Sequence, residues 1–318
     1  GIAPTPIIQY LVKKNNVSGG IMITASHNPE EWNGLKFIDN DGCFIDFKKN
    51  NNLFKSFDNN MLPEKKSQKG SVIVYEDYIS LFIHDLFKLN FIDKDKIERC
   101  NFKVVVDATN GANYKILPMI LKKLNCQVIK LYCEDNGKFE RGPEPVAKNL
   151  NDLIEHVKSK KADIGLATDP DGDRLSIVDE KGNAAGEEST LVLCADNYYK
   201  ETNSSKPLIT NLSSTMNLDF IAEKNNVKIF RSPVGEANVI KLMKRKKADI
   251  GGEGNGGVIL NDLHLGRDSL IASIMILNAM ASGKQKISKI LNEYPKCYMI
   301  KEKISIPKIN LNILFKYL

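Results

Sequence analysis

The sequence has no apolar run approaching the ~18 residues of a membrane-spanning helix, so a membrane partner is not expected. Its six cysteines are scattered with no C-x-x-C pair, which argues against a zinc ribbon or a disulfide framework and fits the reduced thiols of a cytoplasmic protein. His84 and His156 stand apart from one another and from the cysteines, so no histidine–cysteine metal cluster is expected. Charge of one sign is also lacking: 45 basic residues face 39 acidic ones, for a net +6. The run Lys244-Arg245-Lys246-Lys247 therefore reads as the wet face of a helix, and no nucleic-acid partner is expected.

What is present is an ordinary globular composition, 42% hydrophobic and 26% charged over 318 residues, long enough for two or more domains. Thr5-Pro6 opens a helical apolar pattern through Ile7, Ile8, Leu11 and Val12. Residues 48–70 are polar, rich in Asn and Lys and weakly periodic, and suggest a boundary. From there strand-like runs (102–107, 127–131, 163–167) alternate with helical ones (75–89, 114–124, 150–160). The rhythm restarts after Gly186, with strands at 208–210, 228–230 and 249–251 and helices at 187–200, 215–225, 236–245 and near 267–282. Such alternation predicts an α/β fold built on mostly parallel sheets. The expected units are 1–70, 71–185, 186–296 and a further one opening at 297–318. Gly rather than Met at residue 1 and the apolar end Ile313–Leu318 suggest a piece of a longer protein.

Three stretches carry chemistry. In Thr24-Ala25-Ser26-His27-Asn28-Pro29, the preceding Gly20–Ile23 reads as a short buried strand and Asn28-Pro29 as a turn. That leaves Ser26 at a strand end, a nucleophile once a base, a metal or a positive field activates it. Lys36, in the turn and strand that follow, can contact phosphate or move a proton, although a solvated surface lysine is the plainer reading.

The second stretch is Asp169-Pro170-Asp171-Gly172-Asp173-Arg174. Three carboxylates at alternate positions in one turn repel unless a cation offsets them, and oxygen ligands suit a hard divalent ion. An EF-hand begins in the same way, but Arg174 occupies the position where that loop requires Gly. A phosphatase of the haloacid-dehalogenase type also has Asp-x-Asp after a strand, yet here Asp173 stands where Thr or Val is usual. Few ligands and a fixed charge favour Mg²⁺ held together with a substrate phosphate.

The third stretch, Gly251-Gly252-Glu253-Gly254-Asn255-Gly256-Gly257, contains G-x-G-x-x-G. Val258-Ile259-Leu260 continues as a strand rather than a helix, so the dinucleotide-binding context fails. A loop without bulk that presents Glu253 and Asn255 to sugar hydroxyls is the better reading, against that of a plain tight turn. His264 and Arg267, close behind, could line the same site.

Together, and in this order, the three motifs resemble those of the α-D-phosphohexomutases, the phosphoglucomutase/phosphomannomutase/phosphoglucosamine mutase family, over nearly the whole chain. The resemblance implies a phosphorylated Ser26 that is also a metal ligand, and Mg²⁺ on Asp169, Asp171 and Asp173. It also implies Arg174 near the phosphoserine, Lys36 as a proton-transfer residue, and Glu253 with Asn255 on the sugar. His27 joins the expected catalytic residues, and Gly235 and Arg174 the expected substrate-binding ones. The implied reaction moves phosphate between the 6- and 1-positions of a hexose through a hexose 1,6-bisphosphate. The Glu-Gly-Asn-Gly loop and His264-Leu265-Gly266-Arg267-Asp268 look most like the phosphoglucosamine mutase subgroup. Two family segments are absent from the sequence: the Thr-Ser-Gly-x-Arg-Gly-like stretch ahead of the serine loop, and the Arg-x-Ser-Gly-Thr-Glu-Pro phosphate clamp of the C-terminal domain.

Overall fold

The computed structural model describes residues 1–28, 31–59, 61 and 70–298. The expected unit opening at 297 thus lies almost wholly outside the described residues.

In the first region, α1 (Thr5–Lys14) begins with Pro6 in its first turn, where the missing N–H costs nothing. It packs on an antiparallel pair, β1 (Gly19–Ile23) and β2 (Leu35–Asp39). The expectation of a buried strand before Ser26 is corrected here. Ile21 and Ile23 are 57% and 66% exposed, because successive side chains alternate faces and α1 lies against one face only. The polar stretch from residue 48 is corrected as well. It forms α2 (Phe47–Asp58), whose first turn is capped by Asp46 accepting from the Lys49 amide. No residue of α2 is buried, so no core-facing periodicity marks it.

The second region begins with α3 (Tyr78–Leu86), shorter than the pattern over 75–89, and α4 (Lys94–Cys100), which the pattern missed. A four-stranded sheet follows in the order β4-β3-β5-β6. Its centre is β3 (Lys103–Asp107), parallel to both β4 (Gln127–Leu131) and β5 (Ile164–Thr168). Val104, Val105 and Val106 are wholly buried, as expected for a strand covered on both faces. The crossover helices are α5 (Ile116–Lys123) and α6 (Asn151–Lys160). Antiparallel β6 (Leu175–Asp179) closes the edge, so the loop 169–174 is the connection of a β5–β6 hairpin.

The third region opens with α7 (Glu188–Thr202). Next come β7 (Leu208–Asn211), α8 (Asn217–Lys224), β8 (Ile229–Ser232), α9 (Glu236–Lys246) and β9 (Ile250–Glu253). A hairpin then leads to β10 (Gly257–Leu260), followed by β11 (His264–Arg267), α10 (Ser269–Gly283) and α11 (Ile287–Leu291). The sheet order is β11-β10-β9-β7-β8, with β7 parallel to β8 and β9 and the remaining pairs antiparallel. Helix α10 is capped by Asp268 and buried along nearly its whole length, so it carries no amphipathic stripe. Residues of all three regions contribute to one continuous core, from Ile7 through Phe82 and Val104 to Leu191 and Leu277. The molecule is an α/β protein whose mixed sheets are flanked by helices. The expectation of mostly parallel pairing is corrected, since among the described residues hairpins make four of the strand pairs antiparallel against four parallel ones.

Candidate active site

The site forms where the β1–β2 loop, the β5–β6 loop and the β9–β10 hairpin converge. Thr24 anchors the first loop: its amide donates to the Gly34 carbonyl (2.9 Å), and its hydroxyl accepts from the Ser26 amide (2.9 Å). Asn28 returns both its amide and its side chain to the Ala25 carbonyl. This turn sets Ser26 at φ +56°, the left-handed region, at a cost of about 1–3 kcal/mol for a residue with a Cβ. The half-buried Ser26 Oγ lies 3.4 Å from Asp171 Oδ1 and 3.4 Å from His27 Nδ1. The other ring nitrogen of His27 faces Glu144, 3.6 Å away. Burial and the nearby Arg174 hold the imidazole pKa below its ordinary value, against the pull of Glu144, Asp173 and Asp171.

Asp169, Asp171 and Asp173 each present a carboxylate oxygen within 4.8 Å of the others, and all three are buried. The loop builds itself around Asp169 Oδ1, which accepts from the amides of Asp173 and Arg174 (3.0 and 3.1 Å). Gly172, at φ +76°, supplies the backbone turn and packs against Asn113 and Pro4. Asp171 is held from the first region by the Thr5 hydroxyl (2.7 Å) and the Lys36 ammonium (2.6 Å). Lys36 also stands 3.8 Å from Asp173. Burial alone would lower its pKa; Asp171 and Asp173 outweigh that and raise it, so Lys36 is an ammonium at neutral pH. The plainer reading of Lys36 as a solvated lysine therefore gives way to a residue inside the cluster.

Two oxygens of the trio, Asp169 Oδ2 and Asp173 Oδ1, are buried with no hydrogen-bond partner. Desolvation and the charges of Asp173 and Asp171 push the Asp169 carboxyl well above its ordinary pKa. Both features fit a divalent cation, which would satisfy the orphaned oxygens and offset the crowded charge. Arg174 Nε is likewise unpartnered, 3.7 Å from Asp173 and 3.9 Å from Asp169. Behind the loop, Arg141 links Asp107 at the end of β3 to the Thr168 carbonyl, both at 2.5 Å, and so fixes the strand end from which the trio projects.

The glycine hairpin meets the strand leaving the Asp169–Arg174 loop directly, through the Leu175 amide donating to the Gly256 carbonyl (3.0 Å). A Cβ on Gly256 would sit 2.4 Å from the Leu175 carbonyl oxygen. Glu253 is 2% exposed and engaged on both oxygens: Oε1 accepts from Asn211 Nδ2 and the Gly235 amide, and Oε2 from Arg267. Asn255 is half-buried, its Oδ1 accepting from the Gly257 amide at 3.3 Å. Gly235, at φ +115°, caps α9 beside Glu253. A cavity of about 680 Å³ opens on the serine side, lined by Thr24, Ser26, Trp32, Asn110, Phe139 and Asp171. Glu253 and Asn255 do not line it.

Thr5, Glu144, Gln9 and Glu236 were invisible as site residues in the sequence, since each reaches the site only through tertiary contact. Arg267 is in the site, on Asp173. His264 is turned away from it and pairs with Asp268 at 3.0 Å.

The sheet topology and the three converging loops define an α/β protein with one composite site. Three family models match in succession, described as phosphoglucomutase/phosphomannomutase alpha/beta/alpha domain I over residues 1–64, domain II over 76–182 and domain III over 186–298. The chain is 36% identical over 304 residues to a phosphoglucomutase/phosphomannomutase of Thermococcus kodakarensis, covering 95% of this chain and 66% of that one. It is 30% identical over 312 residues to a phosphoglucosamine mutase of Methanococcus maripaludis, covering 96% and 68%. Among solved structures, a phosphoglucomutase/phosphomannomutase family protein from Burkholderia thailandensis superposes with TM-score 0.81 at 24% identity, over 93% of this chain and 64% of that one. The N-acetylphosphoglucosamine mutase of Aspergillus fumigatus, solved with GlcNAc-6P and magnesium, gives 0.60 at 12% identity, over 92% and 77%. This chain belongs to the phosphoglucomutase/phosphomannomutase family, and it spans about two thirds of the length of these curated relatives.

Proposed function

We propose that the protein to which this chain belongs is a phosphohexomutase that interconverts glucosamine 6-phosphate and glucosamine 1-phosphate, with Ser26 as the phosphoryl carrier. The observation that carries the reading is the position of Ser26 Oγ, 3.4 Å from one oxygen of Asp171 while Lys36 holds the other at 2.6 Å. The reacting oxygen, an ammonium and the metal-site carboxylates thus meet at one residue.

Phosphate on Ser26 would carry about −1.5 to −2 charges. Mg²⁺ held by Asp169, Asp171 and Asp173, with an oxygen of phospho-Ser26, would offset that charge while the phosphoryl group is in transit. As the bond between Ser26 Oγ and phosphorus breaks, a new bond forms from phosphorus to a sugar hydroxyl. That hydroxyl loses its proton, and the serine oxygen gains one. The imidazole of His27, neutral near pH 7, suits the first role and the Lys36 ammonium the second. The product is a hexose 1,6-bisphosphate, which turns over so that its other phosphate returns to Ser26. Arg174 is available to a phosphate oxygen, while Asn255 and the Gly235 backbone form the surface expected to face the sugar, with Glu253 buried behind them and holding the Gly235 amide. The units this assigns are 1–70 for the serine loop, 71–185 for the metal loop and 186–296 for the sugar loop.

A second substrate reading, phosphomannomutase/phosphoglucomutase, is favoured by the 36% identity to the Thermococcus protein of that name. Turnover of glucosamine, mannose and glucose 6-phosphates by the full-length protein, measured side by side, separates the two. Phosphopeptide mapping tests the carrier: stable phosphate on a residue other than Ser26 refutes the mechanism.

A further inference from the structure

Arg267, the last residue of β11, is 8% exposed and touches three carboxylates from three different segments. Nη2 donates to Asp173 Oδ2 in the metal loop (2.6 Å), Nη1 to Glu253 Oε2 in the glycine hairpin (2.8 Å), and Nε to Glu236 Oε2 at the start of α9 (3.0 Å). The far oxygen of Glu236 accepts from Gln9 on α1 (3.1 Å), so the array also reaches the first region. A guanidinium is planar and always charged, so contacts made through its separate nitrogens are held at fixed angles to one another. Its charge also offsets carboxylates that would otherwise be buried and unpaired.

The division of oxygens matters. Arg267 takes Oδ2 of Asp173 and leaves Oδ1 buried without a hydrogen-bond partner, 3.7 Å from Arg174 Nε. On Glu253 it takes Oε2 and leaves Oε1 to Asn211 and the Gly235 amide. The orientation of a metal-site carboxylate and that of the carboxylate in the glycine hairpin are therefore set by one rigid group.

We propose that Arg267 is a positioning residue that couples the metal loop to the sugar loop. Fixing Asp173 fixes the guanidinium, which in turn fixes Glu253 before any sugar arrives. The inference rests on the reading of residues 169–173 as a metal site and 252–257 as a sugar loop. By linkage, occupancy of either loop then favours ordering of the other.

The test uses Mg²⁺ alone and hydrogen exchange of the segment 250–258. In the unaltered protein, saturating Mg²⁺ should slow exchange there by about fivefold, the lower end of typical coupling. In Arg267→Lys the positive charge is retained but the fork is lost. The protein should still saturate with Mg²⁺, yet the slowing should fall to less than about half of its native extent. Equal slowing in the variant, or none in the unaltered protein, overturns the proposal. Should Arg267→Lys not fold, Arg267→Met combined with Glu236→Gln removes the cation together with one of its carboxylates and carries the same comparison. In the full-length protein the variant should lose kcat with little change in Mg²⁺ affinity, whereas a loss of metal affinity alone would overturn the coupling role. Failure of Mg²⁺ to bind the aspartate trio would instead refute the metal-site reading itself.

Discussion

The serine loop and the metal loop face each other across one carboxylate, and they are built in opposite ways. The metal loop closes a hairpin in the interior: Asp169, Asp171 and Asp173 are at most 1% exposed, and two backbone amides converge on Asp169. The serine loop is half-exposed and held by its own Thr24 and Asn28, with Ser26 in a left-handed conformation. Like charges can be concentrated only where the backbone prevents them from moving apart. A residue that must hand a group to a substrate needs an open face. The local strain at Ser26 and the charge crowding at the trio are two separate costs, each placed where the proposed chemistry would use it.

Breaking the serine side should have the largest effect. Ser26→Ala should lower mutase turnover of the full-length protein by at least about 10³-fold, because removal of a nucleophile abolishes the covalent route, while the three aspartates should still bind Mg²⁺, more weakly for want of the serine-side oxygen. Steady-state kinetics together with calorimetry checks both halves. Breaking the metal side should reverse the pattern: Asp171→Asn removes one charged ligand without altering shape, and Mg²⁺ affinity should fall by roughly 10–100-fold with the fold retained. Titration calorimetry and circular dichroism read this, and unchanged affinity would mean the trio is not the site.

The rigidity half of the comparison is sharpened at Gly111. A Cβ there would lie 2.4 Å from the Pro170 carbonyl oxygen and 2.6 Å from the Pro170 Cα, and both are backbone of the metal loop. Gly111→Ala should therefore cost about 1–3 kcal/mol in stability, visible as a lowered Tm, since backbone cannot step aside as a side chain can. The smallest effect concerns His27. Its folded pKa lies below the ordinary value, chiefly through burial and then Arg174. Protonation thus opposes the fold, and the residue's contribution to stability is present above its unfolded pKa of about 6.5 and declines as pH falls through the folded value. An NMR titration of the imidazole should find a midpoint below 6.5, and a midpoint above it would mean that Glu144 dominates.

The alternation of apolar runs revealed the α/β rhythm because the middles of the central strands, such as Val104–Val106, are apolar and buried on both faces. The trio and the glycine loop were legible because their chemistry is local: three carboxylates and five glycines lie within single loops. Strand β6 received no range because its antiparallel pairing across a six-residue loop breaks the alternation of strand and helix. Helix α2 escaped because it buries nothing. Arg267 and Thr5 could be placed only by folding, since their partners lie 94 and 166 residues away in sequence.

Helix α10 has one further consequence. Its first residue, Ser269, donates through both its amide and its hydroxyl to the Gly172 carbonyl at the tip of the metal loop. Further along, Asn278 accepts from the Asp93 amide and donates to the Phe91 carbonyl, seaming the second region to the third. With the Asp268 amide donating to the Val258 carbonyl (2.8 Å), the Asp169–Arg174 loop and the strand that follows the glycine hairpin are tied to the start of one buried helix. Under the proposed reaction, the compliance that lets a bisphosphate swing round falls to the serine side, where α2 buries no residue and β1 is covered on one face only.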